Sequence, residues 1–188
     1  MVGSPDPEYL LVGEELLHSG YAFDLYATSW VDPEGESFDR DIVRHRGAVA
    51  IVPITNDGRD VLLVRQFRTP LNDWLLELPA GLRDKEGESD LDTARRELEE
   101  EVGCIADTME HLVTLATAVG FTDESISIYL ARDLSWTERR ADGVEEKSMT
   151  VENVALADVP AMITDGEIID AKTVAGLLVA HQRMPAAR

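Results

Sequence analysis

The sequence has a single cysteine and no long apolar run. Because Cys104 stands alone, an intrachain disulfide is excluded and a zinc site built on several thiolates has no ligands. No segment approaches the roughly 18 consecutive apolar residues of a membrane-spanning helix. Residues Met1–Pro7 contain neither the basic nor the apolar part of a secretion signal. We therefore expect a protein of the reducing cytoplasm.

Basic residues are also scarce. The chain has 17 Lys and Arg against 37 Asp and Glu, a net charge of −20 at pH 7. This charge repels nucleic acids and anionic membranes, so it excludes binding of either through a basic face. Binding of an anionic small molecule is compatible with this charge if divalent cations lie between the molecule's phosphates and the protein's carboxylates. With 188 residues, 44% of them hydrophobic, the chain can form one domain with a true core.

Strand patterns dominate the first two thirds of the chain. Phe23–Val31, Ile42–Val52 and Val61–Phe67 are rich in β-branched and aromatic residues. Turn sequences at Asp32–Gly35 and Asn56–Gly58 separate them. This alternation predicts antiparallel hairpins.

Helices are predicted on both sides of a buried strand. The run Gly47–Val52 is apolar throughout, which indicates a central strand covered on both faces. A long helix is predicted over Ser89–Val102, because Ser89 or Asp90 can cap its start and Gly103 can close its end. Two further helices are predicted at Leu156–Ile163 and Asp170–Gln182.

Three glutamates gather on one face of the long helix. Glu97, Glu100 and Glu101 stand at i, i+3 and i+4, which places their side chains within one turn. Two carboxylates about 6 Å apart repel by about 2–3 kcal/mol at an effective dielectric near 20. Arg96 is expected to point about 100° away and to support Glu88 instead. The cluster is therefore either a solvated face or a site for Mg²⁺ or Mn²⁺, which prefer hard oxygen ligands.

The surrounding sequence resembles a known motif. Six residues separate Gly81 from Glu88, and seven more precede a run that reads Arg-Glu-Leu-Glu-Glu-Glu-Val-Gly-Cys from Arg96 to Cys104. This string resembles the Nudix box, the loop-helix-loop motif of hydrolases that cleave nucleoside diphosphates linked to another moiety. It departs from the motif at two points: one extra loop residue follows Gly81, and Cys104 stands in an aliphatic position. The second departure is small, because a buried Cys behaves as a small apolar residue.

The flanking segments resemble those of ADP-ribose pyrophosphatases within that superfamily. The resemblance covers about residues 40–182. It is carried by Trp74–Gly81, Gly47–Ala50, Val64–Arg68, Gly120–Glu124 and Gly166–Ala171.

The resemblance implies a fold and a domain division. The fold class is α/β (α+β): the Nudix fold, with a mixed β-sheet between helices and an N-terminal antiparallel sheet. We expect residues 1–40 to form that N-terminal subregion and residues 41–188 to form the hydrolase domain. Relatives with this subregion usually exchange it between subunits, so a homodimer is expected.

The resemblance also implies roles for the box residues. The metal ligands would be the carbonyl of Ala80 and the carboxylates of Glu97, Glu100 and Glu101. Glu88 and Arg96 would form a structural pair that joins the loop to the helix. The glycines of the box, Gly81 and Gly103, would be structural.

Substrate contacts are implied outside the box. Arg68 matches an arginine that contacts the diphosphate, and Arg40 matches one near the substrate's terminal groups, although an ordinary surface arginine explains Arg40 as well. Adenine recognition usually needs an aromatic face. The candidates by residue type are Tyr21, Trp30 and Phe38, which strand packing explains equally.

The water-activating base is expected outside the box. In the resembled subfamily it is usually a glutamate on a loop between the last two strands, which is Arg139–Met149 in this chain. Glu145 and Glu146 match the subfamily's pattern most closely, and a solvated charge run is the alternative. Glu100 and the other box glutamates are the next candidates.

The implied reaction is metal-dependent hydrolysis of ADP-ribose to AMP and ribose 5-phosphate. Two departures from the subfamily pattern, Val119 and the strand that begins at Val151, keep other nucleotide sugars or a broad substrate range open. A binding module without turnover is a third reading, but it usually lacks a box carboxylate. An isomerase would need a reactive cysteine, and Cys104 stands in an apolar position.

Overall fold

The computed structural model describes residues 8–140 and 147–183. The chain forms two compact units. One consists of the chain up to Arg46 together with Ala116–Ser125, and the other of Gly47–Leu115 and the residues from Ile126 onward. Within the described ranges, no helix is long and apolar enough to cross a membrane.

The first unit is built on a three-stranded antiparallel sheet. Its strands are β1 (Leu10–Ser19), β2 (Phe23–Val31) and β3 (Ser37–His45), in that spatial order. The carboxylate of Asp32 closes the β2–β3 turn by accepting hydrogen bonds from the backbone N–H groups of Glu34 and Glu36, at 3.0 and 2.8 Å. The hairpin predicted at this turn is therefore confirmed.

Strand β1 presents apolar side chains on both of its faces. Between 43% and 60% of each of these residues is exposed. Because successive strand residues point to opposite faces, neither face of β1 is covered within its unit. The residues are Leu10, Leu11, Val12, Leu16 and Leu17.

The second unit contains two sheets. One has the order β10-β5-β6 and is antiparallel, and the other has the order β7-β4-β9-β8, in which β4 runs parallel to β9. The strands are β4 (Ala48–Pro53), β5 (Asp60–Arg68), β6 (Asp73–Glu77), β7 (Ala80–Leu82), β8 (Cys104–Ala116), β9 (Ser125–Trp136) and β10 (Thr150–Ala155).

Strand β4 is central and buried on both faces, as its apolar run predicts. Val49 and Ile51 pack on the side of the box helix, whereas Ala50 and Val52 pack on the side of the C-terminal helix. Each of these four side chains is fully buried. The expected mixed sheet between helices is confirmed.

Two of the strand predictions need correction. The segment Ile42–Val52 is not one strand, because Gly47 takes a left-handed φ of 80° and breaks it into β3 and β4. The turn at Asn56–Gly58 forms, but it does not join a hairpin. Beyond a single bridge between Ile54 and Val61, β4 and β5 diverge into different sheets.

The box helix changes its winding part-way along. It begins as α1 (Asp90–Glu97) with Ser89 as N-cap, and it continues as a π-helical turn over Leu98–Val102. Gly103, at φ 76°, ends it in the left-handed conformation. The predicted bounds are confirmed, but a uniform α-helix is wrong. The wider turn keeps Leu98 and Val102 in the core while Glu101 also turns inward.

The remaining helices are α2 (Val159–Thr164) and α3 (Ala171–Arg183). Helix α2 starts three residues later than predicted, because Leu156–Asp158 form a turn and Pro160 is tolerated only in the first helical turn. Helix α3 matches its prediction within one residue at each end. It packs closely on the core, since a Cβ at Gly176 would lie 2.7 Å from Cδ1 of Leu78.

Candidate functional site

The box loop and the box helix meet at a glycine. A Cβ at Gly81 would lie 2.0 Å from Cδ and 2.0 Å from Oε1 of Glu97. Real Cβ atoms do not approach other atoms this closely, so only glycine fits beside this carboxylate. Gly81 thus leaves room for the Glu97 side chain, which is 10% exposed.

Arg96 lies at the centre of the carboxylates of the box. Its Nε and Nη2 donate to Glu88 at 3.2 and 3.0 Å, which gives the loop-to-helix pair that the resemblance implies. Its Nη1 donates to Glu97 and also to Glu100 at 3.0 Å. The expectation that Arg96 points away from the glutamate cluster is therefore wrong, because its long side chain contacts Glu88, in the loop before the helix, and Glu97 and Glu100, which follow Arg96 in sequence, at the same time.

These contacts shift the pKa values of the partners. Burial lowers the pKa of the Arg96 guanidinium, but hydrogen bonds and charge from Glu88, Glu97 and Glu100 outweigh burial and raise it overall. The hydrogen bond from Arg96 lowers the pKa of the Glu88 carboxyl, helped by Thr93. Arg96 and Glu88 are thus both charged at neutral pH.

The box region carries more negative than positive charge. Arg96 lies within 4 Å of four carboxylates: those of Asp84, Glu88, Glu97 and Glu100. The only other cation paired with these groups in the described part of the chain is Lys85, 4.0 Å from Glu100. Two cations against four carboxylates leave an excess of negative charge, before Glu101 is counted.

Glu101 and the backbone before the box are joined directly. The N–H of Ala80 donates to Oε2 of Glu101 at 3.0 Å. The Glu101 side chain is buried, with 5% of the residue exposed. This contact fixes the Glu101 carboxylate beside the backbone that enters the box, through the N–H of Ala80 and not through its carbonyl.

The donor set fits a divalent cation. Three carboxylates and a backbone carbonyl are the hard oxygen ligands that Mg²⁺ and Mn²⁺ prefer, and the charge excess favours their binding. Among the described residues, no three His, Cys, Asp or Glu side chains already converge on one point. Glu97 and Glu100 are instead turned toward Arg96, so a cation must compete with that guanidinium.

A second ion-pair network lies at the end of β5. Arg68 donates from Nε and Nη2 to the two carboxylate oxygens of Glu77, both at 2.7 Å. The ammonium of Lys172 also donates to Glu77. The Glu77 side chain is only 1% exposed, whereas that of Arg68 is 36% exposed. Arg68 therefore reaches the surface while a buried carboxylate holds its inner edge.

The start of α3 completes this second network. Asp170 accepts hydrogen bonds from Lys172 at 2.9 Å and from the N–H of Thr173 at 3.0 Å. The Thr173 hydroxyl, which donates to Asp170, accepts a hydrogen bond from the N–H of Leu78 at 2.9 Å. Burial raises the pKa values of the Glu77 and Asp170 carboxyls, but their cationic partners outweigh burial and lower both.

The aromatic and arginine candidates near the N-terminus lie in the first unit. The guanidinium of Arg40 stacks 4.8 Å above the ring centre of Phe38. Trp30 pairs with Phe38 across strands β2 and β3, and its indole N–H donates to Thr28 at 2.8 Å. Tyr21 is 76% exposed. The sheet thus brings Arg40, Trp30 and Phe38 together, whereas Tyr21 lies in the β1–β2 turn.

The remaining candidates are the two loop glutamates and Cys104. Glu145 and Glu146 lie outside the described residues. Cys104 is buried, and burial raises the pKa of its thiol to about 11. A thiol with this pKa is protonated at neutral pH and does not serve as a nucleophile.

Comparison with known proteins gives the family. The NUDIX domain family model matches residues 44–177. The chain belongs to the Nudix family. The ADP-ribose pyrophosphatase of Bacillus subtilis (strain 168) is 38% identical over 86% of both chains. The ADP-ribose pyrophosphatase of Mycobacterium tuberculosis (strain ATCC 25618 / H37Rv) is 40% identical over 93% of this chain and 84% of its own.

A solved Nudix-like structure has the same fold. The crystal structure described as an ADP compounds hydrolase superposes with a TM-score of 0.80 at 26% identity, covering 95% of this chain and 96% of that one. The resemblance to the Nudix superfamily and its fold is therefore confirmed.

Sequence reasoning missed part of the second network. Glu77 and Asp170 belong to segments that carry the resemblance, but neither was assigned a role, and Lys172 and Thr173 were not singled out. A carboxylate inside the apolar run Leu75–Leu78 is the available signal, because a buried charge requires a partner. Of its two cationic partners, Arg68 is 9 residues away in sequence, whereas Lys172 is 95 residues away.

Proposed function

We propose that this Nudix protein hydrolyses ADP-ribose to AMP and ribose 5-phosphate, with Mg²⁺ or Mn²⁺ as cofactor. Water adds to one phosphorus of the diphosphate, the bridging P–O bond breaks, and the bridging oxygen leaves with the other phosphate. The net reaction consumes one water per ADP-ribose. The observation that carries the proposal is the similarity to two ADP-ribose pyrophosphatases over most of the chain.

The box geometry supports a cation-assisted reaction. Bound cations would polarise the phosphate oxygens and offset the charge that develops in the transition state. Glu97, Glu100, Glu101 and the Ala80 carbonyl would hold them. Gly81 maintains this arrangement by leaving room for the Glu97 carboxylate.

The base is proposed on the loop between the last two strands. Glu145 or Glu146 would orient and deprotonate the attacking water, with Glu100 as the alternative. A glutamate carboxylate at either position is a suitable general base for the attacking water.

Substrate contacts are proposed for residues outside the box. Arg68 would donate to the diphosphate from Nη1, since Nε and Nη2 face Glu77. In the first unit, Arg40 would bind the substrate's terminal groups, and Trp30 or Tyr21 would stack on adenine. Stacking is compatible with the hydrogen bond of the Trp30 indole, because that bond leaves the ring faces unused.

A homodimer that exchanges the N-terminal sheet is part of the proposal. Residues 1–40 would form the exchanged subregion, and residues 41–188 the hydrolase domain. The exposed apolar side chains on both faces of β1 support it, because a monomer would leave them in water. The net charge of −20 and the single buried cysteine are consistent with a cytoplasmic enzyme that does not bind nucleic acid.

Another nucleoside diphosphate sugar, or a broad range of them, is the second candidate. The observation that favours it is Val119, which departs from the subfamily pattern and is 75% exposed. A binding module without turnover is disfavoured, because Glu97, Glu100 and Glu101 are all present and grouped at the end of the box helix.

The test is a substrate panel assayed with Mg²⁺ and with Mn²⁺. It contains ADP-ribose, other nucleotide sugars, dinucleoside polyphosphates and nucleoside triphosphates. We expect the highest kcat/KM for ADP-ribose, with AMP and ribose 5-phosphate as products and no turnover in EDTA. A clear preference for triphosphates or dinucleoside polyphosphates would refute the assignment.

A further inference from the structure

Glu77 is the starting point, because its charge is almost completely removed from water. It is the last residue of β6, it follows two buried leucines, and its side chain is 1% exposed. Burying an ionised carboxylate costs several kcal/mol unless cations and hydrogen bonds compensate. The protein supplies two cations, Arg68 and Lys172, which come from β5 and from the start of α3.

The two cations are held in different ways. Lys172 is 10% exposed and contacts both Glu77 and Asp170, so its charge is divided between two carboxylates. Arg68 is 36% exposed and contacts Glu77 through one edge of its guanidinium. Lys172 is therefore an internal part of the network, and Arg68 is the part that faces outward.

The division of charge decides what Arg68 offers to a ligand. If Glu77 had Arg68 as its only partner, the pair would be neutral and its field outside would be small. Because Lys172 shares Glu77 with Arg68 and Asp170 in turn pairs with Lys172, the network is balanced in its interior, and the outward edge of the guanidinium keeps part of its positive charge for an anion. The two-point contact with Glu77 meanwhile fixes the plane of the guanidinium.

The start of α3 also fixes the backbone ahead of the box. The Thr173 hydroxyl accepts the N–H of Leu78, and the next peptides continue through Pro79 to Ala80. Asp170 orients Thr173 and Lys172 together, since it accepts hydrogen bonds from both. One helix start thus controls an arginine on β5 and the chain that enters the box.

We propose that Lys172, oriented by Asp170, is a positioning residue that keeps the Arg68 guanidinium fixed and electropositive for the substrate's diphosphate. This inference rests on the proposed function, because it assigns the diphosphate to Arg68. It gives a role to the segment Gly166–Ala171 and the residues that follow it, which the box chemistry does not use.

Another arginine of β5 also pairs with a glutamate, and this second pair provides a matched control. Arg65 donates to Glu152 of β10, and both side chains are more than a third exposed, at 39% and 35%. No second cation is paired with Glu152 in the described residues. Glu152→Gln therefore removes the carboxylate partner of another β5 arginine, Arg65, without touching the buried network.

The experiment is a double-mutant cycle between Lys172→Met and Arg68→Gln, read as kcat and KM for ADP-ribose with Mg²⁺. In the wild-type background, Lys172→Met should lower kcat/KM about tenfold, the size expected for loss of one charged hydrogen bond. The loss should come mainly from KM, because a contact made equally in the ground and transition states affects binding. In the Arg68→Gln background the same substitution should change kcat/KM less than about twofold.

The controls separate positioning from folding. Glu152→Gln should leave kcat and KM within about twofold of wild type, and the melting temperature of each variant shows whether it folds. If Lys172→Met does not fold, Lys172→Gln replaces it in the same cycle, because glutamine keeps a hydrogen-bond donor without the charge. The same difference between the two backgrounds is then expected.

Equal losses in both backgrounds, or no loss in either, would overturn the inference, because Lys172 would then not act through Arg68. The proposed function fails separately, if the wild-type protein does not hydrolyse ADP-ribose. In that case the cycle is run with the best substrate of the panel and judged by the same non-additivity.

Discussion

The protein contains two arginine–carboxylate clusters that differ in charge balance, one negative and one neutral. Arg96 lies among the carboxylates of Asp84, Glu88, Glu97 and Glu100, so that cluster is strongly negative. The cluster around Glu77 has two cations, Arg68 and Lys172, against two carboxylates, Glu77 and Asp170.

The difference indicates what each cluster needs from solution. The Glu77 cluster is balanced and buried, so it requires nothing further and can serve as a rigid support. Among the described residues, the Arg96 cluster has more carboxylates than cations, and divalent cations are the natural means of offsetting this charge. The first cluster would position the substrate, and the second would bind the ions that act on it.

The largest effect on activity is expected when Glu101, the carboxylate beside the negative cluster, is neutralised. Glu101→Gln should lower kcat by at least about 10²-fold, because it removes a ligand charge from the proposed cation site. The fold should persist with an unchanged or raised melting temperature, since repulsion among carboxylates falls. Steady-state kinetics and thermal unfolding measure both effects.

Glu99→Gln is the control for that variant. Glu99 lies in the same π-helical turn, but its side chain is 34% exposed and its nearest cation, Arg140, is 3.9 Å away. Activity close to wild type is expected. Wild-type activity in Glu101→Gln as well would remove Glu101 from the site.

The loop glutamates test whether chemistry depends on a group beyond both clusters. Glu145→Gln and Glu146→Gln, made separately, should differ. One should lose on the order of 10² in kcat, the range that removal of a general base costs, with KM little changed. Near-normal kcat in both variants would direct attention to Glu100.

Gly81→Ala sharpens the comparison by moving one carboxylate without removing its charge. The new Cβ would occupy the position 2.0 Å from Cδ of Glu97, so the carboxylate must shift. Mg²⁺ affinity should fall about 10- to 100-fold, as it does when ligand orientation is lost. The Mg²⁺ dependence of the rate measures this affinity, and high Mg²⁺ should restore most of the activity. Full activity of Gly81→Ala at low Mg²⁺ would show that the space at Gly81 does not position the Glu97 carboxylate for a cation.

The balanced cluster is tested by the pH dependence of stability. Partners lower the pKa of Glu77 below its ordinary value, so its stabilising effect is present at neutral pH and is lost as pH falls through the folded-state pKa. Glu77→Gln should cost about 3–5 kcal/mol of unfolding free energy at pH 7.

The difference between wild type and Glu77→Gln should narrow as the pH falls below about 4.3, the ordinary pKa of a glutamate, because the unfolded wild-type chain then takes up a proton that the folded carboxyl resists. Urea unfolding at several pH values gives this difference directly. A gap that stays constant over this range would mean that Glu77 is not held as a buried anion.

Features of the fold that depend on neighbouring residues were predicted well from the sequence, whereas contacts between distant residues were not. The apolar run of β4, the cap at Ser89 and the left-handed Gly103 all depend on neighbouring residues, and all are confirmed. The π-helical winding of Leu98–Val102 and the separation of β4 from β5 depend on tertiary packing, which no local pattern encodes.

The same limit applies to the candidate site. The box spacing predicted Glu97, Glu100 and Glu101 within one helical turn, because helix geometry relates nearby residues; in the structure Glu97 and Glu100 share Arg96, whereas Glu101 turns to the N–H of Ala80. It gave the wrong direction for Arg96, whose flexible side chain settles among four carboxylates. Lys172 could not be assigned to Glu77, since nothing local specifies a partner so far along the chain.

The central claim is that the negative cluster, and not the balanced one, takes the divalent cations. The most direct measurement is Mn²⁺ binding, followed by electron paramagnetic resonance of free Mn²⁺, in wild type, Glu101→Gln and Glu77→Gln. The account predicts that Glu101→Gln weakens or abolishes Mn²⁺ binding while Glu77→Gln binds it as wild type does. Equal Mn²⁺ binding by wild type and Glu101→Gln would contradict it.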